Sequence, residues 1–467
     1  MTEIILPAPP ARVHFIGIGG IGMSGLAAVL HEQGYVITGS DSGSNAQTGQ
    51  LSDSGVAIQL GHTDTTNAAA ADLVVITAAV SDNPEIAAAT ERGIPIIKRA
   101  RLLGLLSEQK ISIAVAGSHG KSTTSGMLVT ALTALGVAPS YFVGAVVGSC
   151  GSNSAWNDGD FIVVEADEYD RSFLTLSPDI AIITNIEFDH PDIYTQVSYD
   201  DAFRKFVERI KPWGVLVAYE DDPGVQRLLA WLEDNFLPVH VVTYGERSIH
   251  WKVLQFNGEW RAERIDGLCL PISPGVPGRH NVLNAVAAVI AISELHLETE
   301  EEPFATVDAS IAIQSFTGVG RRFDLAGEAA GITVIDDYAH HPTEIAATLQ
   351  AARERFPDRR IWAIFQPHTY SRTKALIDDF AAALAVADEI VLLDIYAARE
   401  AGDGTVSSAD LARRIGPRAH LISGVPDVVP AVYPLLQEGD VVLTIGAGDV
   451  THAAPALVRA LERGSLD

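Results

Sequence analysis

Short hydrophobic runs of strand length alternate along this chain with stretches in which apolar residues recur every three or four positions, and the alternation sorts into three segments. In the first, VHFIGI reads as a strand, Met23, Leu26, Ala27 and Leu30 recur at helical spacing, and YVITGSD reads as the next strand. LVVITAA and IPIIK continue the series to about residue 110. The second segment starts at ISIAVAG, enters a helix near residues 121 to 135, and carries FIVVEAD, IAIITNIE, VLVAY and VHVVTYG as strands before closing near residue 325. The third offers ITVIDDYA, IWAIFQP, EIVLLDIY and VVLTIGAG, separated by helical stretches such as PTEIAATLQAARERF, where Pro342 suits a first helical turn. Alternation of this kind predicts parallel sheets covered by helices on both faces. The expectation is an α/β chain of three domains, 1–110, 111–325 and 326–467.

Composition narrows the class without changing the fold. The 467 residues are 47% hydrophobic and 19% charged, with no low-complexity tract, as in a soluble globular protein. No stretch approaches the ~18 consecutive apolar residues of a membrane span, and the start MTEIILPAPPARV lacks the basic and apolar regions of a secretory signal. Cys150 and Cys269 lie far apart in no metal-binding spacing, which fits a reducing compartment, so a cytoplasmic location is expected. The formal charge of −27 repels nucleic acid and anionic membranes, leaving any anionic substrate to local cations, backbone N–H groups or metal.

Two glycine-rich turns carry the candidate chemistry. Gly17, Gly19 and Gly22 form GxGxxG directly after a strand, with Asp41 closing the next strand, the spacing of a dinucleotide fingerprint. Such a turn brings a helix N-terminus to a diphosphate of any nucleotide, so a nicotinamide enzyme and another nucleotide diphosphate both remain open. The second turn, Gly117, Ser118, His119, Gly120, Lys121, Ser122 and Thr123, sits between a strand and a helix as a phosphate loop must. Its backbone N–H groups and Lys121 suit a polyphosphate, and the Ser122 hydroxyl suits Mg²⁺. The longer loop pattern has a glycine where this chain has Val115. Downstream, FIVVEADEYD delivers Glu165, Asp167 and Glu168 to a strand end, and IAIITNIEFDHPDIY delivers Glu187, Asp189, His190 and Asp192 to another, both suited to a metal beside bound phosphate.

With the phosphate loop, EADEYDRSFL, TNIEFDHPDIY, PGRHNVLNAVAA, GVGRRFD, DDYAHHPTE, FQPHTYSRTK and HFIGIGGIGMSGLA all present, the chain resembles the Mur ligase family over nearly its whole length. The resemblance implies an N-terminal Rossmann-like domain for a UDP-sugar, a central phosphate-loop ATPase-type domain with a parallel or mixed sheet, and a C-terminal Rossmann-like domain for the incoming amino acid. It implies ATP-dependent joining of L-alanine to the carboxylate of UDP-N-acetylmuramate, with a tripeptide-recycling activity on the same UDP-sugar as the nearest alternative. Gly17, Gly19, Gly20, Gly22 and Asp41 become the UDP-sugar site, and Gly117 to Thr123 the ATP phosphate site. Lys121, Glu165 and His190 become catalytic, with Ser122 and Glu165 on one Mg²⁺ and His190 on a second. Asn281 and Asn284 match adenine-contacting positions, Arg322, Asp337 and His340 match positions that reach the nucleotide, and Tyr338, His368 and Arg372 match the amino-acid site. Thr369 stands where some family members have a further arginine, and Lys205 near the position of a carbamylated lysine is read as a solvated helix residue. The partners implied are small molecules only, with no membrane span and a monomer or homodimer.

Overall fold

Strand Arg12–Ile16, whose Val13, Phe15 and Ile16 are fully buried, is the centre of the N-terminal sheet. The computed structural model describes residues 5–77, 80, 82–191, 193–295, 306–398, 400–402 and 404–464; Asp192, one of the acids expected near a metal, lies outside them. The sheet runs Ala57–Leu60, Val36–Asp41, Arg12–Ile16, Leu73–Ile76, Ile96–Lys98, with every pairing parallel. The chain order reverses at Arg12–Ile16, the crevice where α/β sheets bind nucleotides beyond the strands' C-terminal ends. That is where the GxGxxG turn and Asp41 lie.

The central sheet has ten strands, more than the hydrophobic runs announce. Ile111–Ala116, Phe161–Glu165, Ile180–Ile183, Val215–Tyr219 and His240–Gly245 are the expected strands, paired in parallel. Ser140–Val147 adds a further parallel partner beside Phe161–Glu165, and Ser152–Ala155 folds back antiparallel on its edge. At the other edge Trp251–Phe256, Glu259–Arg264 and Cys269–Pro271 form an antiparallel meander. These edge strands carry alternating or polar residues, such as GlnPhe-Asn-Gly at the Phe256 turn, so they lack the continuous apolar signal of strands buried on both faces.

The third sheet runs Asp324–Ala329, Ile332–Asp337, Val441–Ile445, Ile361–Phe365, Glu389–Leu393, Ala419–Ile422. Only its first pairing is antiparallel. Helix Pro342–Arg355 begins at Pro342 as expected, and Glu344 reaches back to the His340 N–H at 3.0 Å, closing the first turn. Ile345, Leu349 and Ala352 of this helix pack on Ile335, Ala363, Phe365 and Leu443 of the sheet.

The chain forms two compact units, one of residues 1–188, 195–272 and 286–315, the other of residues 189–194, 273–285 and 316–467. The N-terminal and central sheets thus belong to one unit, joined by contacts such as Lys98 to Asp170 at 2.7 Å and the Thr175 hydroxyl donating to Ala100 O at 2.7 Å. Short segments around His190 and Asn281 pack with the C-terminal sheet. No helix among the described residues is long and apolar enough to cross a membrane.

Candidate active site

The phosphate loop follows from where strand Ile111–Ala116 stops. Val115, standing where longer loops have a glycine, is a buried strand residue paired with Glu165, so the loop begins only at Gly117. Gly117 has φ +134°, and an added Cβ would collide with the Thr184 hydroxyl, so only glycine fits here. Gly120 (φ +85°) then turns the chain into helix Lys121–Ala134, whose N-terminus offers unpaired N–H groups to an anion. Ser118 and His119 tie the loop down: the Ser118 hydroxyl donates to Glu187 O (2.6 Å), and the His119 N–H donates to Asn185 Oδ1 (2.9 Å). The His119 ring lies 3.0 Å from the Glu187 carboxylate, and Thr123 is buried in the first turn of the helix. His119 and Thr123 therefore shape the loop in this structure.

Lys121 is 14% exposed and turned back on the loop, donating to Gly117 O (2.7 Å) and Ser118 O (3.1 Å) and lying 2.9 Å from Glu168. Burial works against its charge, but Glu168, Asp167 and Glu165 outweigh burial and hold the ammonium above the usual lysine range. Burial pushes the Glu168 carboxyl up to about 7 despite Lys121 beside it. Glu168, read from the sequence as a metal-facing acid, is thus a buried lysine partner; the Tyr199 hydroxyl lies 3.5 Å from it. The Ser122 hydroxyl donates to Glu165 Oε1 at 3.1 Å, and the Gly144 N–H donates to Oε2 at 2.7 Å. Two hard oxygen donors on one spot, at the mouth of the loop, fit a small divalent cation. Gly144 had no sequence signal because its role is proximity: a Cβ there would sit 2.8 Å from the Glu165 carboxylate.

At the N-terminal crevice, the Asp41 carboxylate accepts the Gly19 N–H at 2.8 Å, holding the GxGxxG turn closed, and Gly20 caps helix Ile21–Glu32. Gly17 takes φ +81°, and a Cβ at Gly22 would meet the Arg99 side chain. Behind them lies a cluster no motif announced. Glu85, completely buried, accepts from His14 Nε2 (2.9 Å) and Gln59 Nε2 (2.9 Å) on one oxygen, and from the Ser40 hydroxyl (2.6 Å) and His62 Nδ1 (2.9 Å) on the other. Burial raises this carboxyl, but hydrogen bonds from His14, Ser40 and His62 outweigh it and leave it below its ordinary value. Glu85→Gln puts an amide N–H₂ against donors, an expected loss of about 3 kcal/mol, read as a drop in thermal midpoint by circular dichroism. Because the folded carboxyl is depressed, that stabilisation is complete above the unfolded value near pH ~4.3 and fades as pH falls through the folded one, so the two proteins should converge in acid.

In the second unit, Asn281 and Asn284 are buried near the start of helix Arg279–Ser293; the Asn281 amide donates to Pro277 O at 2.6 Å. Asp337, at the end of strand Ile332–Asp337, accepts from the Phe323 N–H (2.7 Å) and Ala339 N–H (2.8 Å), and burial raises its carboxyl to about 6. Arg322 donates to Glu344 (3.3 Å) and lies over the Tyr338 ring at 5.3 Å. The His340 Nδ1–H donates to Tyr338 O at 3.0 Å, and burial drives the ring down to about 3, so it is neutral with Nε2 as acceptor. Tyr338, His340, His368 and Tyr396 form a run of ring contacts with centroids 5.3 to 5.9 Å apart. Tyr396 was not singled out in the sequence. Arg372, only 4% exposed, donates from Nε (3.0 Å) and Nη2 (2.8 Å) to Asp189, whose neighbour is His190. His190 takes φ +56°, closed by Ile193 and Tyr194 N–H groups on its carbonyl at 2.9 Å. Lys205 is half-exposed on helix Gln196–Val207 and paired with Asp201 at 2.7 Å, a solvated residue as read.

Comparison with known proteins places three descriptions along the chain. Residues 12–111 match "Mur ligase family, catalytic domain", residues 115–292 "Mur ligase middle domain", and residues 321–448 "Mur ligase, glutamate ligase domain". A UDP-N-acetylmuramate--L-alanine ligase of Desulfosudis oleivorans is 41% identical, covering 97% of this chain and 99% of the relative. One of Trichlorobacter lovleyi is 42% identical, covering 96% and 99%. Among solved structures, the UDP-N-acetylmuramate-alanine ligase MurC of Thermotoga maritima is 31% identical with a TM-score of 0.79, covering 97% of this chain and 100% of that one. A murein peptide ligase from Psychrobacter arcticus, 24% identical with a TM-score of 0.71 over 97% of this chain and 99% of that one, shares the fold.

Proposed function

The chain belongs to the Mur ligase family, and from that premise we infer that it joins L-alanine to the carboxylate of UDP-N-acetylmuramate at the expense of ATP, in peptidoglycan precursor synthesis. The observation that carries the reading is identity above 40% to L-alanine ligases over 96–97% of the chain, joined to a phosphate loop in which Lys121 pairs with Glu168 and the Ser122 hydroxyl donates to Glu165. The GxGxxG turn is then a UDP-diphosphate site. A nicotinamide reaction leaves Lys121 and Glu165 without a role.

The chemistry sets what each group must do. A carboxylate cannot lose oxide to an amine at neutral pH, so its oxygen first attacks the ATP γ-phosphorus, releasing ADP and forming an acyl phosphate. Lys121, freed from Glu168 and the loop carbonyls when phosphate arrives, offsets the repulsion between the two anions. The neutral amine of L-alanine then attacks the acyl carbon, and as the amide forms phosphate leaves with the C–O electrons while the nitrogen gives up one proton to the departing phosphate or to water. Ser122 and Glu165 are the residues that would hold one Mg²⁺ and His190 a second; bound there, such ions neutralise phosphate charge. Asn281 and Asn284 are assigned to adenine, Arg322, Asp337 and His340 to the nucleotide, and Tyr338, His368 and Arg372 to the amino acid. Division into 1–110, 111–325 and 326–467, each for one substrate, and a cytoplasmic location, where ATP and the UDP-sugar occur, complete the reading.

Phosphate release measured with ATP, UDP-N-acetylmuramate and a panel of amino acids tests it. L-alanine should give the highest kcat/KM. Turnover with a tripeptide but not with L-alanine would overturn the assignment in favour of recycling.

A further inference from the structure

Arg372 is assigned above to the amino acid, whose α-carboxylate is the group a guanidinium pairs with, yet the structure already gives it a carboxylate. Both Nε (3.0 Å) and Nη2 (2.8 Å) donate to a single oxygen of Asp189, and both side chains are 5% exposed. A guanidinium has five N–H groups arranged along two usable edges: a side edge of Nε with Nη2, and an end fork of Nη1 with Nη2. Asp189 takes the side edge. His368 Nδ1 lies 3.4 Å from Nη1, a long contact that uses at most one of that nitrogen's two hydrogens. One hydrogen on each terminal nitrogen remains, which is the paired geometry a substrate carboxylate takes.

The same Asp189 oxygen also accepts the His190 N–H at 2.7 Å. One atom therefore fixes the angle of the proposed amino-acid clamp and the backbone of the proposed metal ligand.

We propose that Asp189 is a positioning residue for amino-acid binding: it occupies the side edge of Arg372 and presents the end fork to the incoming α-carboxylate, while tethering His190 to the same arginine. This rests on the assignment of Arg372 to the amino acid, and its test separates the two. Steady-state kinetics of the full chain are compared for wild type, Arg372→Ala, Asp189→Asn, Asp189→Glu and the double variant Asp189→Asn/Arg372→Ala, varying each substrate in turn.

Arg372→Ala should raise KM for L-alanine about 100-fold with KM for ATP and the UDP-sugar within twofold. Asp189→Asn should raise KM for L-alanine about tenfold, again leaving the other two KM values in place, and should add nothing in the Arg372→Ala background because it acts through that arginine. Asp189→Glu keeps the buried charge, so it should fold even if the asparagine variant does not; it moves the carboxylate by one methylene and should raise the same KM. An unchanged alanine KM in Arg372→Ala overturns the clamp itself. A normal clamp effect, with alanine KM unchanged or lowered in both Asp189 variants, or with additive effects in the double variant, overturns the positioning role.

Discussion

Lys121→Ala is expected to lower ATP-dependent phosphate release about a thousandfold, since it removes the one mobile cation of the phosphate loop from the charge-transferring step. The loop loses the bonds that Lys121 donates to the Gly117 and Ser118 carbonyls but keeps the glycine turns and the Ser118 and His119 tethers, which hold its backbone in place. Stability is a separate matter. Lys121 and Glu168 are a buried pair, and deleting one partner of such a pair costs about 3–5 kcal/mol when the other stays charged. Glu168 does not have to stay charged: burial has already raised its carboxyl to about 7. A folded-state value above the unfolded one means the charged form penalises folding, and the penalty is relieved as pH falls through the folded value. Lys121→Ala should therefore lose more stability at pH 8 than at pH 6, and Lys121→Ala/Glu168→Gln should recover the thermal midpoint without recovering activity. Near-normal phosphate release from Lys121→Ala would sink the assignment of the loop.

The second large effect is expected at Glu165. Its two oxygens serve Ser122 on one side and the Gly144 N–H on the other, so Glu165→Gln keeps the size but loses the charge and can satisfy only one of these contacts with an oxygen. If Ser122 and Glu165 hold Mg²⁺, kcat should fall about 100-fold and the Mg²⁺ concentration for half-maximal rate should rise at least about tenfold. A Mg²⁺ titration of phosphate release in both proteins checks this. A lowered kcat with an unchanged Mg²⁺ requirement would make Glu165 a structural brace for Gly144 instead of a metal ligand.

Much of the molecule was legible in one dimension because its information is local. Buried parallel strands are continuous apolar runs, and a glycine-rich strand-to-helix turn leaves its mark within seven residues, so Ile111–Ala116, Gly117 to Thr123 and helix Lys121–Ala134 were all placed closely. Pro342 marked its helix start for the same reason. The antiparallel meander from Trp251 to Pro271 was not read, because an edge half in water has no continuous run to detect. Glu168 was read as an acid at an open strand end, since nothing local reveals that Lys121, 47 residues away, covers it. Glu85, His14 and His62 carry no local signal: each is an ordinary residue in its own segment, and only the packing of a helix on the parallel strands brings both rings to one carboxylate.

What the sequence by itself determined was the buried parallel strands and the helices between them, their order, the family they belong to and the residue types available for phosphate and metal. What only the tertiary structure decided was which charges neutralise which. Arg372 and Asp189 lie 183 residues apart and read separately as an amino-acid-site residue and a metal-facing acid; folded, they are 2.8 Å apart with both side chains 5% exposed. The physical reason is that propensity and motif act over a few residues, whereas burial removes water from pairs distant in sequence, and it is that loss of solvent which makes their mutual attraction strong enough to define a site.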